Sequence, residues 1–258
     1  MSDPFTPDCK LVSDVAPSPN HEERAGGRAP DMILLHYTGM KSALAALARL
    51  RDGSGEGRVS AHYFIDEDGT IAQLVPEARR AWHAGASFWQ GETDINSCSI
   101  GIEIVNPGHE FGYRDFPPHQ IDAVTALCRD IVVRRKIRAD RVLAHSDVAP
   151  ARKQDPGEKF PWVRLHKSGV GHWVAPTPIS DAARLSEGDR NETVSLLQSQ
   201  LAKYGYGISM TGEYDANTRD VVTAFQRHFR PARVDGIADA STLTTLTDLL
   251  AARPTIAV

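Results

Sequence analysis

Apolar positions along the chain fall into short continuous runs and into stretches at helical spacing. Met32-Ile33-Leu34-Leu35 is continuous and apolar, then gives way to His36, Tyr37 and Thr38. A short unbroken run closed by polar residues predicts a buried strand over 31–38. Ser42 to Leu50 is rich in Ala and Leu and stops before Gly53, which predicts a helix. The β-rich runs 61–65 and 70–75 flank Asp66-Glu67-Asp68-Gly69, a hairpin signal. Ser99 to Val105 reads as a further strand, and Arg141 to His145 as a short one. Between them Ile121, Val124, Leu127, Cys128, Ile131 and Val132 recur at helical spacing over 121–136. Strands alternating with helices predict an α/β layered domain with a mixed sheet.

Both flanks of this pattern differ from it. The first thirty residues hold Pro4, Pro7, Pro17, Pro19, Gly26, Gly27 and Pro30 and predict an irregular lead-in. Around Pro176-Thr177-Pro178 periodicity is lost, which marks a linker. Beyond it Val194, Leu197, Leu201 and Tyr204 form a helical stripe. A G-x-x-D-x-x-T segment, Gly212 to Thr218, is echoed by Gly236 to Thr242. Asp215 and Asp239 are natural helix N-caps with Thr three residues on, so each copy predicts a helix start. The expected organisation is a catalytic domain over 1–175, a linker over 176–184 and a small helical domain over 185–258.

Composition narrows the picture. Of the 258 residues, 41% are hydrophobic and 24% charged, as in ordinary soluble domains. The net charge of −4 gives no sign of nucleic acid as a partner. Cys9, Cys98 and Cys128 form no C-x-x-C pair, so free buried thiols are expected and a bound metal must rely on His and carboxylates. The first residues lack a basic segment followed by an apolar one, and no apolar run reaches the roughly 18 residues of a membrane span. The expectation from these is a cytoplasmic protein, with a periplasmic or envelope location as the alternative. No protein partner is evident.

Of ten histidines, His36 and His145 stand out because each ends a short apolar strand. In α/β sheets sites gather at the carboxyl ends of strands, and neighbouring strands would set both imidazoles on one rim. Lys153-Gln154-Asp155-Pro156-Gly157 follows ten residues after His145, and its tight turn fixes a carboxylate direction. Read alone, Asp155 is first a simple turn-forming residue. Two His and one carboxylate with an open fourth position is a catalytic zinc pattern, and the absence of H-E-x-x-H excludes the usual metalloprotease layout. Glu103, set among Ile100, Ile102, Ile104 and Val105, is either a general base and acid or half of a buried ion pair. Lys153 is either an oxyanion partner or a solvated lysine.

Six segments settle the comparison: Leu35 to Thr38, Val59 to Tyr63, Ala81 to Gly85, Ile100 to Glu103, Ala144 to Asp147 and Arg152 to Gly157. In this order they resemble type 2 N-acetylmuramoyl-L-alanine amidases, relatives of the peptidoglycan recognition proteins, over roughly residues 30–165. The resemblance implies a mixed β-sheet flanked by helices and one zinc ion per chain. It matches His36, His145 and Asp155 to the ligands, Glu103 to the catalytic glutamate and Lys153 to the catalytic lysine. The implied reaction is hydrolysis of the amide between the muramic lactyl group and L-alanine in peptidoglycan or muropeptides. His62, Trp82 and His83 match segments near the cleft and, with Tyr37 and Asn106, are the expected substrate contacts. Leu197-Gln198, Tyr204-Gly205-Tyr206, Tyr214-Asp215, Phe225-Gln226 and Val234-Asp235-Gly236 resemble a type 1 peptidoglycan-binding domain, which implies a three-helix unit. The rival functions are a non-catalytic recognition protein on the same fold and a zinc peptidase acting within the stem peptide. A wall-binding unit favours the envelope, while the missing export signal favours the cytoplasm.

Overall fold

The computed structural model describes residues 5–180, 182 and 184–253, so Pro4 of the expected lead-in and positions 181 and 183 of the expected linker lie outside the described residues. In chain order the elements are β1 (Asp14–Val15), β2 (His21–Glu23), β3 (Met32–Tyr37) and α1 (Ala43–Arg51). Next come β4 (Tyr63–Ile65), β5 (Ile71–Gln73), β6 (Arg79–Ala81), α2 (Ile95–Cys98) and β7 (Ser99–Ile104). Helix α3 (Pro118–Arg135) leads to β8 (Val142–Ala144), α4 (His145–Val148) and α5 (Trp162–Lys167). Helices α6 (Glu192–Tyr204), α7 (Ala216–Phe229) and α8 (Ala240–Ala251) follow.

Six strands form one mixed sheet in the order β1-β5-β4-β7-β3-β8. β3 lies between β7 and β8, parallel to both, while β5 closes the expected hairpin antiparallel to β4. The lead-in is less irregular than its composition suggests. β1 pairs with β5, and β2 pairs with β6 in a second small sheet. Strands of two or three residues are too short to carry a periodic signal.

Side-chain alternation in the parallel strands creates two faces. Ile33 and Leu35 join Ile100, Ile102, Ile104, Val142 and Ala144 in a core with Ile121, Val124, Leu127, Cys128 and Ile131 of α3. This is the apolar stripe that the helical spacing predicts. Met32, Leu34 and Leu143 point the other way, into a core shared with Trp89, Val148 and the C-terminal helices. The three cysteines are buried and free. Among the described residues no helix is long and apolar enough to cross a membrane.

The repeated segments cap their helices as the spacing predicts. Asp215 and Asp239 accept from the backbone N–H groups of Thr218 and Thr242, both at 2.8 Å. Gln198 and Gln226, buried on α6 and α7, complete each copy by accepting from the N–H groups of Gly212 and Gly236 at 2.9 Å. Each amide also donates to a turn carbonyl, at 2.9 Å to Glu213 and 2.8 Å to Ile237, so its burial costs little. The helices meet the sheet through Trp89, which lies edge-on to Tyr204 and Tyr206 at ring distances of 6.0 and 5.0 Å. Gly205, at φ +147°, makes this approach possible, because a Cβ there would lie 2.6 Å from the Trp89 ring.

Candidate active site and metal centre

Register builds the site from three adjacent strands. His36 on β3 pairs with Glu103 on β7. Leu35 pairs with Ala144 on β8, so His145 is the next residue along, beside His36. His36, Glu103 and His145 therefore form one row across the carboxyl ends of the strands, on the face opposite the α3 core. At His145 the strand pattern ends and α4 begins, because the Asp147 carboxylate accepts the Ala144 N–H at 2.8 Å and caps the turn. Asp155 joins the row through backbone: the Ser146 N–H donates to the Asp155 carbonyl at 3.0 Å.

Three donor atoms converge here. His36 Nδ1 lies 2.9 Å from His145 Nδ1 and 3.1 Å from Asp155 Oδ2, and His145 Nδ1 lies 2.9 Å from the same oxygen. All three residues are buried. The far sides of the rings fix the protons. His145 Nε2 lies 3.0 Å from the Ala84 carbonyl, which can only accept, so Nε2 carries the hydrogen and Nδ1 is bare. Ser99 Oγ donates to the Ile95 carbonyl at 2.6 Å and so accepts from His83 Nε2 at 3.3 Å. His83 Nδ1 is then the acceptor for His36 Nε2–H at 3.1 Å, and His36 Nδ1 is bare as well. Two nitrogen lone pairs and a carboxylate oxygen aimed at one point repel each other unless a cation lies among them. Tetrahedral zinc with bonds of ~2.0–2.1 Å sets its donors about 3.3 Å apart, so the donor set fits with small outward movements.

Electrostatics supports the same state. Burial, reinforced by neighbouring His145, pushes His36 down to about 4, so it is neutral at pH 7. Its contact with Asp155 is then not an ion pair. Burial opposes charge on Asp155, and its carboxyl falls below the usual range only where positive charge at His145 and His36, the place a cation would take, offsets that burial. Glu103 behaves in the opposite way. Burial, then Asp155, drives its carboxyl well above the ordinary value, while Lys153 acts against them. Glu103 Oε2 is buried without a hydrogen-bond partner among the described residues. A carboxyl left unpartnered in a cleft is a reactive-group candidate on physical grounds.

His36, His145, Asp155, Glu103 and Lys153 line one cleft of about 420 Å³, with Tyr37, Met40, Arg49 and His109 on its walls. The expected substrate contacts divide. Tyr37 faces the cleft, its hydroxyl 3.0 Å from His109 Nδ1, and His109 Nε2 continues to Glu158 at 3.2 Å. His83 lines the cleft but is buried, its ring hydrogen-bonded to His36 Nε2 at 3.1 Å and packed over Gly101. His62 is buried outside the cleft wall, accepting the Gly101 N–H at 3.0 Å and contacting the Arg79 carbonyl at 3.0 Å. Trp82 also lies off the wall, with its indole N–H 3.1 Å from Glu22 and the Arg58 guanidinium 5.0 Å over its ring. Asn106 shapes the 106–114 loop, donating to the Arg114 carbonyl at 2.9 Å and accepting the Gly108 N–H at 3.0 Å. His109 and Arg49 carry no local sequence signal. Only the fold brings them to the strand ends.

Comparison with known proteins agrees with this geometry. The family described as N-acetylmuramoyl-L-alanine amidase matches residues 26–158, and a peptidoglycan binding domain matches residues 190–246. The N-acetylmuramoyl-L-alanine amidase AmiD of Escherichia coli is 39% identical over 228 residues, covering 82% of this chain and 79% of that protein. The structure of AmiD from E. coli with the substrate anhydro-N-acetylmuramic acid-L-Ala-D-gamma-Glu-L-Lys superposes with a TM-score of 0.72 at 35% identity, covering 90% of this chain and 97% of that one. The crystal structure of AmpDh3 from Pseudomonas aeruginosa gives a TM-score of 0.71 at 31% identity, covering 86% and 92%.

Proposed function

The chain belongs to the N-acetylmuramoyl-L-alanine amidase family, hydrolases of an amide bond, and from that premise we propose a one-zinc enzyme that cleaves the lactyl–L-alanine amide of muropeptides or peptidoglycan. The observation that supports it most is the convergence of two bare Nδ1 atoms and a carboxylate oxygen beside an unpartnered Glu103. On this reading His36, His145 and Asp155 hold the ion. Bound zinc supplies Lewis acidity, lowering the pKa of water to ~7 and polarising a carbonyl.

Glu103 takes the proton from the attacking water as its oxygen bonds to the lactyl carbonyl carbon. It then delivers that proton to the departing nitrogen as the C–N bond breaks. The products are the lactyl carboxylate and a peptide with a free L-alanine amine. The high proton affinity of Glu103 suits the return step. Lys153 faces the same cleft and balances the negative charge that develops on the carbonyl oxygen. Helices α6–α8 serve as a peptidoglycan-binding unit that raises the local concentration of wall glycan. The test is digestion of purified muropeptides with products identified by mass. A free peptide beginning with L-alanine is expected, and cleavage within the stem peptide would overturn the assignment.

A further inference from the structure

A tethered wall anchor needs only a linker. This chain instead ties its C-terminal helices to both ligand-bearing segments. Asp147, two residues past His145, is wholly buried. One of its oxygens accepts the Ala144 N–H at 2.8 Å and contacts His228 Nδ1 at 2.7 Å, and the other accepts the Tyr206 hydroxyl at 2.7 Å. His228 is itself fixed by stacking on Trp162 at 3.7 Å. Two of the three partners of this carboxylate thus come from beyond the strand end that carries His145. The dependence is physical. α4 has four residues, far below the length at which a helix holds itself, so its cap and tertiary contacts must hold it.

A second link is separate in residues and in target. Arg227 on α7 reaches Gln154 Oε1 at 3.4 Å, and its Nε lies 3.7 Å from Glu158. Gln154 and Glu158 lie on either side of Asp155, and Glu158 continues to His109 on the cleft wall. The Arg227 side chain is 14% exposed, so this pair is partly shielded from solvent.

We propose that the C-terminal helical unit is a structural half of the metal centre, with Tyr206, His228 and Arg227 as positioning residues for His145 and Asp155. This rests on the metal reading of the His36–His145–Asp155 triad. Tyr206 and His228 act through Asp147 on the turn that aims His145. Arg227 acts through Gln154 and Glu158 on the loop that aims Asp155. The ring of Tyr206 also packs on Trp89, so the hydroxyl is the part to remove.

The test uses the full chain, stripped of metal and titrated with zinc against a chelator, and with Co2+ for its visible spectrum. Tyr206→Phe and Arg227→Met are compared with Leu246→Ala, a core truncation on α8 at a residue that is not among the hydrogen-bond partners of Asp147, Gln154 or Glu158. Outer partners of a metal site are worth roughly 10–100-fold in affinity, and contacts one step further out should reach about the lower end of that range. Tyr206→Phe and Arg227→Met are therefore expected to weaken zinc about tenfold, alter the Co2+ spectrum and lower kcat with little change in KM. Leu246→Ala is expected to lower Tm while leaving zinc affinity and the Co2+ spectrum unchanged. Should Tyr206→Phe fail to fold, Arg227→Met carries the comparison. If the folded variants lose only Tm, the helices are a packed neighbour and the proposal fails. A wild-type chain that binds no zinc would instead overturn the metal reading beneath it, before any variant is compared.

Discussion

Gly101→Ala probes whether the imidazole behind His36 is part of the site. Gly101 lies on β7, paired with Leu34, and the His83 ring covers it. A Cβ at 101 would lie 2.5, 2.6 and 2.7 Å from three ring atoms of His83, closer than packed carbons approach. The ring cannot simply slide, since it is held by His36 Nε2 at 3.1 Å and Ser99 Oγ at 3.3 Å. Either the strand shifts or the imidazole leaves its place. Overpacking of this kind costs about 1–3 kcal/mol, which in a chain of this size is roughly 2–4 °C of Tm for each kcal/mol. Moving His83 also removes the acceptor that keeps the proton on His36 Nε2. Loss of such a partner weakens metal binding by roughly 10–100-fold, or about 1.4–2.8 kcal/mol. The assay is zinc competition with a chelator, read beside thermal melting. Gly101→Ala with His83→Ala should regain stability without regaining affinity, which separates crowding from the lost hydrogen bond. A Gly101→Ala chain with wild-type zinc affinity would refute the reasoning.

Three other expectations follow. His36→Ala and Asp155→Ala should lose zinc by metal analysis, whereas Glu103→Gln should retain it while kcat falls by roughly 10²–10⁴, and an active Glu103→Gln would remove Glu103 from the mechanism. His62, pushed down to about 3 by burial and by Arg24, stays neutral in the fold but takes up a proton near 6.5 when unfolded. The unfolded chain then binds more protons, so stability rises with pH through this window and is lost on acidification, by about 2 kcal/mol at pH 5 for this group. Melting curves of metal-free protein at pH 7.5 and 5 should show that loss, and His62→Gln should reduce it. Trp89→Ala empties the centre of the core shared by sheet and C-terminal helices and should cost about 3–5 kcal/mol. Both parts should still melt together, and two separate transitions by circular dichroism and tryptophan fluorescence would contradict a shared core.

The legible part of this protein is local. Short apolar runs and helical spacing are written into neighbouring residues, so β3, β7, α1 and α3 emerge from the pattern with ends shifted by one to three residues. The two Asp caps of the C-terminal repeat are equally local. His36 and His145 are visible because they end apolar strands, and Glu103 because a carboxylate interrupts a run of isoleucines. Asp155 on its own is an ordinary turn residue, and its place in the order of motifs raises it above that. The histidines and aromatic residues flanking these motifs were not legible in the same way. Tyr37 lines the cleft, but His83 supports His36 from behind, and His62 and Trp82 lie off the wall.

Local sequence names the residues able to do chemistry and the strand ends that carry them. Tertiary structure alone decided that three donors share one point, because that depends on the register of β3 against β8 and on a bond from Ser146 to Asp155. It also decided which nitrogen of each histidine is bare, since the proton is set by Ala84 and by the His83–Ser99 relay on other segments. The C-terminal helices look in sequence like an attachment behind a Pro-rich break. In the fold they share a core with the sheet and reach the segments that carry His145 and Asp155, a relation that pairs residues as far apart as Asp147 and His228 and that no local pattern encodes.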